Sequence, residues 1–336
     1  MRRYILKRLF HMIFIVIGIS LFTFFILHMI PGDPARVIAG PAGTEKSVAR
    51  VRELMGLDRP LHIQLINFYK RLIRFDFGES WFSGKPIIYD IRTRIPATIE
   101  LLVSGFMIAI IIFVPLGVLI AFKPRGIINK IVKGYALIAG SIPDFWLGLM
   151  MILVFYVYFR VVPPPLGRIS IGLEPSKITG LYILDSLLTG NIKSMFSAIS
   201  FLVLPSSCLA FVMGGPITKM TISSIRATID SKFIEYTKIA GLTEKTRKIY
   251  ALKNSALPII TLVGVLFNYM ISGCVMIEMV FSWGGLGQYA VLSIINKDYN
   301  TIQAIVIFMA VIASLIYLFV DILYFLIDPR IKEIEV

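Results

Sequence analysis

Acidic side chains inside otherwise apolar stretches are the residues of this 336-residue chain whose surroundings point to chemistry. Asp144, Glu278 and Asp321 lie within or at the edge of long uncharged segments. An ionisable group is costly inside a bilayer and usually faces a bundle interior or a wet cavity. One interpretation is a pathway for a cationic or zwitterionic solute. The alternatives are that Glu278 and Asp321 are hydrogen-bonded structural residues near span ends, and that Asp144, which follows Pro143, caps a helix.

Catalytic and metal-binding patterns are not apparent in the sequence. The three histidines, His11, His28 and His62, are scattered, and Cys208 and Cys274 lack the spacing of metal ligands. No Ser/His/Asp or paired-Asp arrangement lies at helical depth with suitable spacing. We therefore expect no catalytic residue and no metal site.

A phosphate-binding loop is faintly suggested by Gly78 together with Gly84 and Lys85. The spacing has one residue too many, Pro86 replaces the required Ser or Thr, and no buried strand precedes the loop. We therefore predict that the chain binds neither ATP nor any other cofactor by itself.

Aromatic residues near the ends of apolar stretches could be mistaken for a ligand-binding box. Trp283 with Tyr289 forms one such group, and Trp146 with Tyr156 and Tyr158 forms another. Tryptophan and tyrosine near span ends are more often anchors at the membrane interface. We therefore expect both groups to be interfacial anchors.

The segment 221–258 is a strongly basic polar stretch between two apolar spans, with seven Lys or Arg residues against three acidic ones. Gly241 stands in its middle, where a helix end favours a residue able to adopt positive φ. Thr243 and Glu244 indicate that a helix restarts there, and Pro258 indicates the start of a membrane helix. The pattern predicts two short helices with a break, in contact with something in the aqueous phase.

Apolar residues make up 57% of the chain, and the mean hydropathy is +0.82, which exceeds what a soluble core needs. The class is therefore an all-α polytopic membrane protein. The formal net charge of +14 is typical of cytoplasmic loops facing anionic lipid, so we expect membrane lipid and no nucleic acid as a partner. Six spans are predicted, at residues 9–30, 101–122, 134–159, 194–218, 259–281 and 299–327.

The topology follows from the basic connections. The N-terminus, segments 123–133 and 219–257, and the tail all fall on one side, which is therefore cytoplasmic, with both termini inside. Pro31 and Pro34 follow the first span where a signal peptide would have a small-residue cleavage site, so that span is retained. We expect an N-terminal tail and first helix (1–30), a soluble extracytoplasmic segment with helices near 44–55 and 61–73 (31–95), a five-helix core (96–327) and a cytoplasmic tail (328–336).

A family resemblance is carried by residues throughout the chain. Glu235, six residues before Gly241 and followed by a basic helix and Leu257-Pro258, resembles the EAA loop of binding-protein-dependent ABC importer permeases. Tyr236-Thr237 departs from the alanine pair of that motif. Further segments are similar to the B-type subunit of the dipeptide/oligopeptide/nickel permease family: ILKRLF (5–10), HMIPGDP (28–34), LMGLDRPLHIQ (54–64), FDFGES (75–80), RIPATIEL (94–101), SIPDFWLG (141–148), LKNSALP (252–258), EMVFSWGGLGQYAV (278–291), NKDYNTIQA (296–304) and DPRI (328–331). Gly284 and Asn300 stand where that family usually has proline.

The resemblance implies a type I ABC importer permease fold in a prokaryotic plasma (inner) membrane. Its implied partners are a second homologous permease, two ATPase subunits that bind ATP and Mg²⁺, and an extracytoplasmic solute-binding protein. The segment 221–258 would be the cytoplasmic coupling loop, with these residues contacting the ATPase: Glu235, Tyr236, Thr237, Ala240, Gly241, Leu257 and Pro258.

The resemblance implies di- or oligopeptides as the transported solute, with nickel or a metal–metallophore complex as the alternative. Two other interpretations stay open. The chain could be a stand-alone carrier driven by an ion gradient, with Asp144 and Glu278 as ion-coupling residues. The segment 221–258 could be a plain basic loop held to anionic lipid.

Overall fold

The computed structural model describes residues 2–29, 33–40 and 42–327, and over these ranges the regular structure is helical. The predicted all-α class is confirmed. The α-helices are α1 (Arg2–Met29), α2 (Pro34–Ala39), α3 (Glu45–Leu54), α4 (Leu61–Ile73), α5 (Ile87–Phe122), α6 (Ile127–Ile138), α7 (Asp144–Met151), α8 (Tyr182–Leu188), α9 (Ile192–Ile229), α10 (Lys232–Ile239), α11 (Glu244–Val280), α12 (Leu286–Ile295) and α13 (Tyr299–Ile327). A 3₁₀ turn (Ala139–Ser141) follows α6 and a π-helical turn (Ile152–Tyr158) follows α7.

Five of these helices are long and apolar enough to cross a membrane, namely α1, α5, α9, α11 and α13. A sixth apolar element consists of two arms, Ile127–Ser141 and Asp144–Tyr158, and the chain bends by 115° between them. The sequence predicted one span over 134–159 that contains Pro143, and the structure has a sharp break at this proline. It arises because Pro143 disfavours the helical conformation at Ile142, whose backbone is extended (φ −84°, ψ 126°).

The chain forms two compact units, and the first comprises residues 1–95 with 288–318. The predicted helices near 44–55 and 61–73 are confirmed by α3 and α4. The loop between α4 and α5 is fixed by buried carboxylates of this unit: Asp298 accepts from Ser80 Oγ (2.6 Å), and Asp90 accepts from Ser83 Oγ (2.5 Å) and from the Tyr289 hydroxyl (2.9 Å). Because each of these buried carboxylates accepts hydrogen bonds from the chain, the contacts hold the loop in place although the loop is not helical.

The second unit comprises residues 96–287 with the end of α13. Its core joins α5, α9 and α11 through the fully buried side chains of Leu101, Leu209 and Ile277. The ring of Tyr135 on α6 stacks on that of Phe113 with centroids 5.2 Å apart. These contacts surround α9. Its most apolar stretch is more buried than that of any other candidate span.

Proline does not end the long helices of this protein. α11 begins at Glu244 and continues through Pro258, so the prediction that a membrane helix starts at Pro258 is wrong. A proline removes one backbone hydrogen bond and can kink a helix. In α11 the helix continues because packing of Ala251 and Ser255 on one side and Gly264 on the other buries both flanks of the proline.

Candidate functional site

The segment 221–258, which we name the coupling segment after the role that the resemblance implies for it, consists of the end of α9, the short α10 and the beginning of α11. The sequence predicted two short helices, and only α10 is short. α9 stays helical to Ile229 because Thr221 and Ile225 remain buried in the core. α10 is therefore joined through one turn on each side to a helix that crosses the apolar core of the unit.

α10 is capped at both ends by hydrogen bonds. Ser231 is the N-cap residue, and its side chain accepts a hydrogen bond from the backbone of Ile234. At the C-terminal end the N–H of Leu242 bonds to the carbonyl of Thr237, and that of Gly241 bonds to Lys238. This is a Schellman motif, and it requires the positive φ of Gly241 (+76°). The predicted break at Gly241 is confirmed.

One face of α10 packs against the unit and the other face is apolar and exposed. Ile234 and Thr237 are buried, whereas Tyr236 is 70% and Ile239 is 79% exposed. Glu235 is also exposed, and because Ser231 supplies the cap, its carboxylate is left facing solvent. An exposed apolar face beside a carboxylate indicates a docking surface for another protein.

The departure from the alanine pair of the EAA motif has a local explanation. Thr237 fills the buried position and donates its hydroxyl proton to the carbonyl of Ile234 (2.7 Å). Tyr236 points outward, so its size meets no steric limit within the unit. The remaining predicted coupling residues have different exposures, with Ala240 and Pro258 exposed and Leu257 half-buried.

Asp144 is the first residue of α7, at the break between the two apolar arms. Pro143 occupies the cap position and no side-chain cap hydrogen bond is made, so the capping interpretation of Asp144 is wrong. Its Oδ1 is buried and has no hydrogen-bond partner among the described residues. Gly273 of α11 lies against this carboxylate, since a Cβ there would be 2.6 Å from Oδ2. The acid therefore occupies a tight site beside α11 with unused acceptor capacity.

Glu278 is fully buried near the end of α11 and accepts a hydrogen bond from Thr98 Oγ1 (2.6 Å). The backbone of Gly285 and Gly287 presses against the same carboxyl group. This geometry favours the structural interpretation of Glu278. Asp321 lies within α13, and its side chain is outside the described part of the chain.

A buried ion pair that the sequence did not reveal joins the loop 160–191 to α5. Arg168 Nη2 lies 2.5 Å from Glu100 Oε2, and both side chains are at most 10% exposed. The other carboxylate oxygen of Glu100 accepts from the N–H of Ile183 (2.9 Å), and the Arg168 guanidinium stacks over Tyr182 at 4.0 Å. The two charges are 68 residues apart, so no sequence spacing links them. The only signal of this pair in the sequence was that Glu100 directly precedes the uncharged span 101–122.

Asp185 organises the same loop. The Thr179 hydroxyl and the N–H groups of Ile178, Thr179 and Gly180 all donate to its carboxylate. Burial acts to raise the pKa of Asp185, but these hydrogen bonds outweigh it and the pKa is lowered. We call Thr98, Glu100, Arg168, Asp185 and Glu278 the polar clamp.

Comparison with known proteins gives a family and several relatives. Residues 113–333 match the family described as "Binding-protein-dependent transport system inner membrane component", and residues 1–102 match its N-terminal counterpart. The chain is 35% identical to a "Probable D,D-dipeptide transport system permease protein DdpB" of Escherichia coli K12, over 97% of this chain and 96% of that one. It is 35% identical to a "Dipeptide transport system permease protein DppB" of Alkalihalophilus pseudofirmus, over 99% and 100%. It is 32% identical to a "Probable peptide ABC transporter permease protein y4tP" of Sinorhizobium fredii, over 98% and 99%.

Proposed function

Because the chain belongs to the family of binding-protein-dependent transport system inner membrane components, we propose that it is a permease subunit of an ATP-driven importer of di- or oligopeptides. It forms half of the translocation pathway, and a second homologous permease forms the other half. The peptide names of the relatives favour peptides over nickel or a metal–metallophore complex.

The partners and orientation follow from the same proposal. Two ATPase subunits bind ATP and Mg²⁺ and dock on the cytoplasmic side, and a solute-binding protein delivers the peptide from the other side. The basic connections favour a prokaryotic inner membrane with both termini in the cytoplasm. This chain then performs no hydrolysis and supplies only the moving pathway.

The observation that carries the proposal is the exposed apolar face of α10, bounded by two caps and joined to two core helices. Closure of the ATPases must reach the membrane helices as a rigid-body movement. Tyr236 and Ile239 offer the apolar contact for an ATPase groove, with Glu235 beside them. A capped helix transmits the push because neither end can unwind without losing hydrogen bonds.

Asp144 is the pathway residue that the geometry favours. Its buried Oδ1 without a partner among the described residues matches the ammonium group of a peptide, and the 115° break beside it provides an element that can change angle. Glu278 and Asp321 stay secondary candidates for the pathway.

The test of coupling compares two glycines of similar geometry. Gly241 (φ +76°) and Gly172 (φ +82°) both have open space where a side-chain carbon would stand, and only Gly241 belongs to the coupling segment. In proteoliposomes containing the full transporter, Gly241→Val is expected to abolish ATP-dependent peptide uptake while the protein still inserts. Glu235→Lys is expected to do the same. Gly172→Val is expected to keep uptake, because it introduces the same backbone strain elsewhere.

Two results would overturn the proposal. One is normal ATP-dependent uptake by both coupling variants. The other is peptide uptake driven by an imposed proton or sodium gradient after ATP depletion, which would establish the stand-alone carrier instead.

A further inference from the structure

A cavity lined by basic residues lies where the coupling segment meets the C-terminal end of α5. It encloses about 470 Å³. Arg226 contributes from the end of α9, and Arg247 and Lys248 contribute from the first turns of α11. We call this cavity the basic corner.

Two of the three cations of the basic corner have buried nitrogens without acceptors. Arg226 Nη2 and Arg247 Nε are shielded from solvent, and neither has a hydrogen-bond partner among the described residues. A buried donor left unpaired costs about 1–3 kcal/mol, and more when it belongs to a charged group. The site is therefore built for an acceptor that comes from outside the chain.

The acids of the cavity do not fill this role. Glu244 pairs with Lys248 at 2.5 Å, and Asp230 forms no ion pair within the described part of the chain. Three basic groups thus face two acidic ones, of which one is already engaged. An added anion is favoured over an added cation.

The position of the cavity indicates which anion it takes. Its walls include Phe122, which is the last residue of α5 and also the last residue of the predicted span 101–122. Lys248 Nζ lies 5.9 Å from the centre of the Phe122 ring. The corner therefore adjoins the point where the apolar span of α5 leaves the membrane, which is the depth of lipid headgroups.

We propose that the basic corner binds the phosphate group of an anionic lipid headgroup. Guanidinium groups present several N–H donors that match phosphate oxygens, and such charge-assisted bonds are stronger than neutral ones. A lipid held there connects the ends of α5, α9 and α11 at the base of α10. The inference does not depend on the transported solute.

The test measures lipid retained by the purified full chain, using native mass spectrometry after exchange into micelles with phosphatidylglycerol or phosphatidylcholine. The wild type is expected to retain phosphatidylglycerol preferentially. The variant Arg226→Gln/Arg247→Gln is expected to retain it about tenfold less, because two charge-assisted bonds are lost. The matched control Lys245→Gln/Lys253→Gln removes the same charge from exposed positions of α11 outside the cavity, and retention is expected to be unchanged.

Two further measurements distinguish a lipid phosphate from free phosphate and control for misfolding of the variants. Displacement of the lipid by millimolar inorganic phosphate would support the phosphate site while showing that it does not distinguish lipid from free anion. Arg226→Lys/Arg247→Lys keeps the charge and is expected to retain intermediate amounts with an unchanged melting temperature. Equal retention by the Gln variant and wild type, or equal loss in the control, would overturn the proposal. The proposal would also be overturned if the wild type bound neither phosphatidylglycerol nor phosphate and the Arg variants lost only their binding to the ATPase. The basic corner would then bind an acidic side chain of the ATPase instead of a lipid.

Discussion

The two ends of α11 treat charged groups in opposite ways. Near its C-terminal end, the polar clamp surrounds buried carboxylates with donors from the chain, as at Glu278 and, on neighbouring elements, Glu100 and Asp185. At its N-terminal end, Arg226 and Arg247 keep buried nitrogens without acceptors among the described residues, and α10 exposes apolar side chains. Arg168 Nε of the clamp also lacks a hydrogen-bond partner among the described residues, but the Arg168 charge is paired with Glu100. A region whose buried charges are paired within the chain becomes fixed, whereas a region whose buried cations lack acceptors depends on another molecule. The clamp is thus expected to determine stability and the coupling segment to determine communication.

The largest expected effect concerns the buried ion pair. Arg168→Met leaves the Glu100 carboxylate buried without its charge partner, and we expect a loss of about 3–5 kcal/mol in unfolding free energy. The comparison is Lys248→Met, which breaks the exposed Glu244–Lys248 pair and is expected to change the stability little, because solvent screens the pair. Thermal unfolding of the purified chain measures both. Equal shifts in melting temperature would remove the distinction between the two regions.

The second prediction concerns the close approach of Gly285 to Glu278. A Cβ at Gly285 would overlap the buried carboxyl group, so Gly285→Ala is expected to destabilise the chain by about 1–3 kcal/mol. Gly134→Ala on α6 meets nothing within 4 Å and is expected to be neutral or slightly stabilising. The melting temperatures of the two variants check the pair. A Gly285→Ala variant as stable as Gly134→Ala would show that the clamp is looser than its geometry indicates.

The smallest effect is the pH dependence of Asp185. Because hydrogen bonds lower the pKa of its carboxyl group below the ordinary value of 3.8, ionised Asp185 stabilises the folded chain above that value. This contribution is lost as the pH falls through the lowered pKa. Asp185→Asn is expected to be less stable than wild type at about pH 6 and to show less additional loss in acid. Melting curves against pH measure the difference, and parallel curves for the two proteins would contradict it.

Local signals in the sequence were sufficient for features whose causes are local. The positive φ of Gly241 and the helix start at Thr243 depend on residues within one helical turn, and both were predicted. The prediction at Pro258 was wrong because a proline's local tendency to break a helix is outweighed by packing on both sides.

Contacts between residues far apart in the chain could not be predicted from the sequence in this way. The prediction that Trp283 and Tyr289 are interfacial anchors is wrong, because these side chains are 2% and 1% exposed, and Trp283 donates its indole N–H to the carbonyl of Ala97 (2.9 Å). The partners are 186 residues apart in the chain. The same holds for Arg168 and Glu100, and for the convergence of Arg226 with Arg247. Residue type predicted that these groups needed partners, and only the fold determines which partners they have.

The length of α9 has a mechanical consequence. Its 38 residues extend for about 57 Å at 1.5 Å per residue, roughly twice the thickness of a bilayer's hydrocarbon core. In the proposed importer we expect the helix to act as a lever, with one arm among the membrane helices and the other carrying α10. A lever moves in both directions, and coupling free energies are reciprocal. In the proposed assembly, a solute that shifts the membrane arm is therefore expected to change how strongly α10 binds the ATPase, so the cargo would be sensed before ATP is used.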